Sequence, residues 1–239
     1  MKWKRGFHCR RCQHTLCWKG RTKFHVRCIN CNYDESITAH TLFHKIQIPL
    51  LQAFAMVFHI TVFKKGISSL ELAKVFDIDE KTAFRFREKV QDAMGAWLSK
   101  EKDKRVTMIP TKLDSIIIGN RGEDLNGLQR LEIVVEEYRR GSSRNKITRF
   151  QSSILSADNI DHCELVAGRY VDENKLIGLW NFKTWLTGVH HHCSIGKVHR
   201  YENEFLFRLN NRHRQDMIWH ILIGEMMLAK PHYLYSNAA

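Results

Sequence analysis

The chain has 239 residues, 44% of them hydrophobic and 26% charged, a globular composition that excludes global disorder. Its 38 Lys and Arg against 25 Asp and Glu leave a net charge of +13, which points to a polyanionic partner, either nucleic acid or an acidic membrane surface. The excess is concentrated early: residues 1–100 hold 18 basic and 8 acidic side chains, residues 101–239 hold 20 and 17, and residues 1–31 hold nine Lys or Arg and no carboxylate. Met1 to Gly6 leads into basic residues where a signal peptide needs an apolar segment. The most apolar run, Ile48 to Phe63, is broken by Gln52 and His59 and falls short of the ~20 residues that span a bilayer. A soluble, cytoplasmic protein with no membrane partner is expected. In that compartment the seven cysteines are metal ligands or free thiols rather than disulfides.

Cys9-Arg-Arg-Cys12 and Cys28-Ile-Asn-Cys31 are two C-x-x-C pairs separated by fifteen residues, the spacing of a four-cysteine zinc site. Two thiolates three positions apart at a tight turn reach one tetrahedral ion, and two such knuckles close the site. Between them Cys17 to Lys19 and Phe24 to Arg27 alternate as short strands do, which predicts a zinc ribbon over residues 1–38. Cys17 is left over, and it, His8, His14 or His25 could replace a ligand. So small a unit cannot bury enough apolar surface to fold without its metal. Arg10, Arg11, Lys19, Arg21, Lys23 and Arg27 make it basic and suited to phosphates.

From Pro49 the periodicity becomes helical. Leu50, Leu51, Phe54, Val57, Phe58 and Thr61 recur at three- and four-residue spacings, and Lys64-Lys65-Gly66 ends the helix. Ser68 and Glu71 form a capping box that opens a second helix stopping near Phe76. Asp79 caps a third, Lys81 to Met94. Two helices around a short turn after a longer first helix resemble a helix-turn-helix domain, here residues 39–98. In that arrangement Lys81, Thr82, Arg85 and Lys89, with Lys64 and Lys65 nearby, are available to DNA phosphates or base edges. The alternative is a three-helix bundle with a solvated basic face.

Residues 99–110 are charged and poor in apolar side chains, and are expected to be a linker. Beyond them Leu113–Ile118, Leu131–Tyr138 and Thr148–Leu155 read as strands, and Cys163–Glu173, Leu176–Leu186, Lys197–Arg212 and Met217–Ala229 as helices. Three strands followed by helices suggest an α/β or α+β domain with a small mixed sheet over residues 111–239, in a chain that is multidomain α+β as a whole.

Taken together these residues resemble the zinc-ribbon DDE transposases of bacterial insertion sequences, the group akin to eukaryotic Merlin elements. The resemblance is carried by CINCNYDESITAHTLFHK (28–45), PLLQAF (49–54), KKGISSLEL (64–72), KTAF (81–84), FKTWL (182–186), GVHHH (188–192) and YENEFLFRLNNR (201–212). It implies a zinc ribbon and helix-turn-helix that bind double-stranded transposon-end DNA, a homodimer, and a bacterial protein located at the nucleoid. It also implies an RNase H-like domain in which carboxylates hold two Mg²⁺ for phosphoryl transfer.

There the chain departs from the pattern. Asp114, in Lys-Leu-Asp-Ser, matches the first family aspartate, but no match to the second is found. The third position lies seven residues before a lysine; counting back from Lys183 lands on Leu176, which offers no side-chain oxygen. Asp158, Glu173 and Asn174 could contribute only in an unusual metal set. The sixty-nine positions from Asp114 to Lys183 are too few for the usual strands and helix, so the RNase H-like domain is expected to be truncated. The resulting expectation is a transposase-derived DNA-binding protein that holds structural Zn²⁺ and is defective in cleavage. Mg²⁺ would be needed only if the catalytic site still works, and the alternative is an active transposase with an atypical catalytic set.

Overall fold

The computed structural model describes residues 2–3, 6–22, 24–102, 107–119, 128–139, 146–155, 177–190 and 193–228. The chain begins with three short antiparallel strands in the order β1 (Cys17–Lys19), β2 (His25–Cys28) and β3 (Asp34–Ser36). The first two match expectation; β3 has only three residues and lacks the alternation that would have exposed it. Buried here are Phe7, Cys9 and Cys28, backed by Trp3, Val26, Tyr33 and the other cysteines. Behind this sheet the buried Glu35 carboxylate pairs with Lys2 at 2.7 Å, and Lys2 also donates to the carbonyls of Ser36 and Ala39.

Helix α1 (Leu50–Val62) follows Pro49, and α2 (Ser69–Phe76) opens with the capping box as expected: Ser68 Oγ accepts from the Glu71 amide, and Glu71 accepts from the Ser68 amide. Asp77 ends α2 in the left-handed region at φ 49°, and Asp79 accepts from the Thr82 amide at 3.1 Å to cap α3. Helix α3 (Glu80–Lys102) runs past its expected end, so the first part of the expected 99–110 linker is its last turn. Glu101 there is buried. The end of that linker is strand, because β4 (Thr107–Gly119) pairs with β5 (Leu128–Arg139), which pairs in turn with β6 (Lys146–Leu155). The described strands are all antiparallel, in the order β4-β5-β6, and include no parallel pair of the expected mixed sheet. The β4–β5 register slips between Ile109 and Lys112, where Pro110 has no N–H to give the ladder.

Helix α4 (Ile177–Trp185) continues into a π-turn, Leu186–His190, and α5 (Val198–Asn210) and α6 (Ile218–Leu228) complete the described chain. The helix expected over 163–173 lies outside the described residues. Leu179, Phe182 and Leu186 pack on Leu131, Ile133 and Val135 of β5. Leu206 and Phe207 of α5 and Ile218, Leu222 and Met226 of α6 bury themselves with Met56, Ile60, Leu72, Val90, Met94 and Trp97. The last two helices thus share a core with α1–α3, across the expected 98/111 division of the chain. Gly95 lets α5 approach: a Cβ there would lie 2.5 Å from the Asn203 side chain. Asn210 joins α5 to the sheet, accepting from the Thr148 amide and donating to the Thr148 carbonyl at 2.8 and 2.9 Å. Among the described residues no helix is long and apolar enough to cross a membrane.

At the centre of this shared core a charge pair replaces hydrocarbon. Arg87 of α3 and Glu204 of α5 are 1% and 0% exposed, with Arg87 Nε and Nη2 donating to the two carboxylate oxygens at 3.1 and 3.0 Å. Gln91 donates a third bond to Glu204, and Arg87 also donates to the Ile67 carbonyl. Burial alone would push the Glu204 carboxyl up, but the Arg87 charge and hydrogen bonds outweigh it and hold the group below the ordinary carboxylate range. Removing one partner strands a buried charge. Arg87→Met is expected to cost about 3–5 kcal/mol in urea unfolding, with part of the loss recovered in the Arg87→Met/Glu204→Leu double variant. Because the Glu204 pKa is depressed in the folded state, its contribution is present above the unfolded carboxyl pKa of about 4.3 and lost as pH falls below it. Unfolding midpoints measured across the acid range should decline less steeply in Glu204→Gln than in the natural chain.

Candidate metal centre and nucleic-acid interface

The two C-x-x-C segments fold into the same turn. In the first, the Gln13 amide donates to the Cys9 carbonyl at 2.9 Å and the Cys9 amide donates to the His14 carbonyl at 2.9 Å. In the second, the Asn32 amide donates to the Cys28 carbonyl at 3.1 Å and the Cys28 amide to the Tyr33 carbonyl at 3.0 Å. Gln13 and Asn32 both take positive φ, 62° and 54°, so each chain reverses immediately after its second cysteine. The repeated turn aims both thiols of each pair into one space. The leading cysteines, Cys9 and Cys28, are fully buried, and the trailing ones, Cys12 and Cys31, are half-buried.

The four sulfurs lie within 4.8 Å of one another, with Cys9 to Cys31 and Cys12 to Cys28 both at 3.5 Å. A tetrahedron with Zn–S near 2.3 Å has sulfur edges of about 3.8 Å, inside the range of separations these four sulfurs span, so the cluster could hold Zn²⁺. Among the described residues this is the one group of three or more His, Cys, Asp or Glu side chains near enough to share an ion. Cys17 stands opposite Cys28 in the sheet register but outside that group, and His25 is bonded through Nδ1 to Thr22 Oγ1 at 2.7 Å. The thiols are electrostatically unequal. The His14 backbone amide, with help from neighbouring thiols, lowers Cys12 to about 6, while burial pushes Cys31 up to about 12. Four thiolates together require a cation to offset their repulsion.

The expected DNA-contact residues divide into two groups. Arg27 is committed to Asp34 by two bonds, at 2.8 and 2.7 Å, and that carboxylate raises its pKa. Arg10 lies 3.5 Å from the buried Glu35. Both therefore serve the N-terminal sheet, in addition to whatever they meet outside it. Arg11, Lys19, Arg21, Lys64, Lys65, Lys81 and Arg85 are exposed, Arg21 lying also 4.0 Å from Asp34; Lys23 lies outside the described residues. Thr82 and Lys89 are half-buried on the same side of α3 as Arg85. Burial lowers the Lys89 pKa, and its Nζ donates to the His44 carbonyl at 3.2 Å.

Lys45, which sequence reasoning passed over, completes this side of α3. With Gln47, Thr82, Arg85 and Lys89 it lines a notch of about 180 Å³ that contains three cations and no carboxylate. Its signal was present in the sequence, since Lys45 ends the 28–45 stretch, but nothing local shows that residues 45–48 fold against α3. At the other end of α2, Arg208 of α5 donates to the Phe63 and Lys64 carbonyls and pins the turn that exposes Lys64 and Lys65. Gly66 sits in that turn at φ 88°, where a Cβ would lie 2.7 Å from Trp185 Nε1.

The expected catalytic residues are not assembled by anything described. Asp114 takes its place in β4 opposite Ile133, and Lys183 is exposed on α4, whose other face meets the sheet. Asp158, Glu173 and Asn174 lie outside the described residues. Compared with protein-family models, with curated proteins and with solved structures, the chain matches none. The cysteine cluster is thus the part of the expected site that stands on geometry.

Purified protein is expected to carry one zinc per chain by elemental analysis. Cys28→Ser should lose it and melt the N-terminal sheet while leaving the helical far-ultraviolet signal largely intact, because the helices have their own core. Since thiolates bind the metal and thiols do not, zinc retention should fall with acidification, and a chelator should reproduce the effect at neutral pH.

Proposed function

We propose that this protein is a transposase-derived, sequence-recognising DNA-binding protein whose Zn²⁺-held N-terminal sheet and α2–turn–α3 helix-turn-helix grip duplex DNA, and whose RNase H-like remnant no longer cuts it. The observation that carries the reading is the carboxylate-free notch of Lys45, Arg85 and Lys89 beside the exposed Lys81 on one side of α3. Cations gathered around a concavity suit the oxygens of a phosphate. The resemblance of the chain to zinc-ribbon DDE transposases supports the same reading, as do the nine Lys or Arg with no carboxylate in residues 1–31. The antiparallel β4-β5-β6 meander bearing Asp114 accords with the start of an RNase H-like sheet. A single matched carboxylate cannot hold two Mg²⁺ for in-line displacement. Transposon-end-like duplexes are the partner this reading implies, bound by a homodimer in the bacterial cytoplasm.

Duplex affinity measured by fluorescence anisotropy should fall steeply as salt rises, because phosphate contacts release counterions. Arg85→Ala and Lys45→Ala should each weaken binding and lower the log–log salt slope by about 1. Incubation of supercoiled DNA with the protein and Mg²⁺ should leave it uncut. Nicking that Asp114→Ala abolishes would replace this reading with that of an active transposase.

A further inference from the structure

Trp18 is the largest side chain of the N-terminal sheet, yet it is 57% exposed and stands apart from the buried Phe7, Cys9 and Cys28. The exposed indole offers a flat, rigid aromatic surface with a polar N–H edge. It occupies β1 opposite Arg27, whose guanidinium is held in place by its two bonds to Asp34. Around it is a shallow concavity of about 530 Å³ lined by Trp18, Lys19, Gly20, Arg21, Arg27 and Asn32. Three of those six residues are cations; Asp34, outside the lining, is bonded to Arg27 and lies 4.0 Å from Arg21, whose side chain is 82% exposed. Gly20 closes the hairpin tightly, donating to the His25 carbonyl at 2.8 Å, and a Cβ there would come within 2.6 Å of the His25 side chain. The strand bearing Trp18 is therefore held by backbone bonds on both sides of the turn and by the metal-binding knuckles at its base.

We propose that this concavity binds an unpaired DNA base, with the Trp18 indole as stacking platform and Lys19 and Arg21 as contacts to the flanking phosphates. The inference rests on the DNA-binding reading above. Stacking on an aromatic ring requires a free π-face, which a base inside a duplex does not offer, so the ligand is a single-stranded tail or a frayed end. The cations supply charge complementarity to its backbone. Because the site lies on the unit read above as gripping duplex DNA, the tail it takes is DNA, and an RNA tail is the competing outcome of the test.

The test uses the full zinc-bearing chain and two labelled probes, a short blunt duplex and the same duplex with a single-stranded thymidine tail. The natural chain should bind the tailed probe more tightly. Trp18→Ala should lose at least about five-fold in affinity for the tailed probe and less than about two-fold for the blunt one, Trp18→Phe should keep most of the difference, and both variants should retain their zinc. Equal loss on both probes, or no loss on either, would overturn the inference while leaving duplex binding intact. If the natural chain shows no salt-sensitive binding to the blunt duplex, the DNA-binding reading itself fails and this inference with it. Tighter binding to a tail of RNA than of DNA would overturn the assignment to DNA.

Discussion

Arg87 and Glu204 lie 117 positions apart in the chain and meet where neither touches water. An isolated charge at either position would carry a desolvation penalty of several kcal/mol, so the two must be placed together or not at all. That condition brings α3 and α5 into one register. It also reaches beyond the pair, because Arg87 holds the Ile67 carbonyl at the entrance to α2 and Gln91 completes the Glu204 shell. The spacing of α2 from α3, and with it the set of cations α3 presents, is tied to a carboxylate near the far end of the chain. Gly95 and the Asn203 side chain serve the same approach by steric means.

A second constraint operates at the N-terminus, where hydrocarbon is too sparse to form a core. There the four cysteines take the place that leucines and phenylalanines hold among the helices. The two knuckles repeat one hydrogen-bond pattern, and their positive-φ residues turn each chain back at once. Most of the unit's carboxylate charge is used internally: Glu35 is buried against Lys2, and Asp34 is bonded to Arg27. The cations without such partners on the surface, Arg11 and Lys19 among them, are what the outside meets. The charge is accordingly not a uniform coat: among the described residues some cations are paired with carboxylates, while others on the N-terminal sheet and on α3 are exposed.

The sheet β4–β6 is joined to the helical core rather than set apart from it. Phe150 of β6 and Phe205 of α5 pack in both apolar clusters, and Asn210 supplies the hydrogen bonds that a neighbouring strand would give Thr148. Division of the chain at a charged stretch was reasonable from composition, since Ser99 to Arg105 is rich in Lys and Glu. Such a stretch also suits a long helix with one wet face, and the burial of Glu101 in the last turn of α3 depends on what packs against it.

Much was legible from local pattern alone. The spacing of Cys9, Cys12, Cys28 and Cys31 specified the four-cysteine cluster, since two thiols at a tight turn have few other geometries. The Ser68–Glu71 box and the Asp79 cap set the starts of α2 and α3, because capping is a matter of three or four consecutive residues. Strands β4 to β6 and helices α4 to α6 were likewise visible in their apolar spacing. Tertiary structure alone decided that α5 and α6 complete the core of α1–α3, that Arg10 and Arg27 are engaged by carboxylates, that Lys45 joins Thr82, Arg85 and Lys89, and that Trp18 stays in water. Those outcomes depend on which surfaces meet across tens of residues, and a local pattern records that a side chain is apolar or charged without recording its partner.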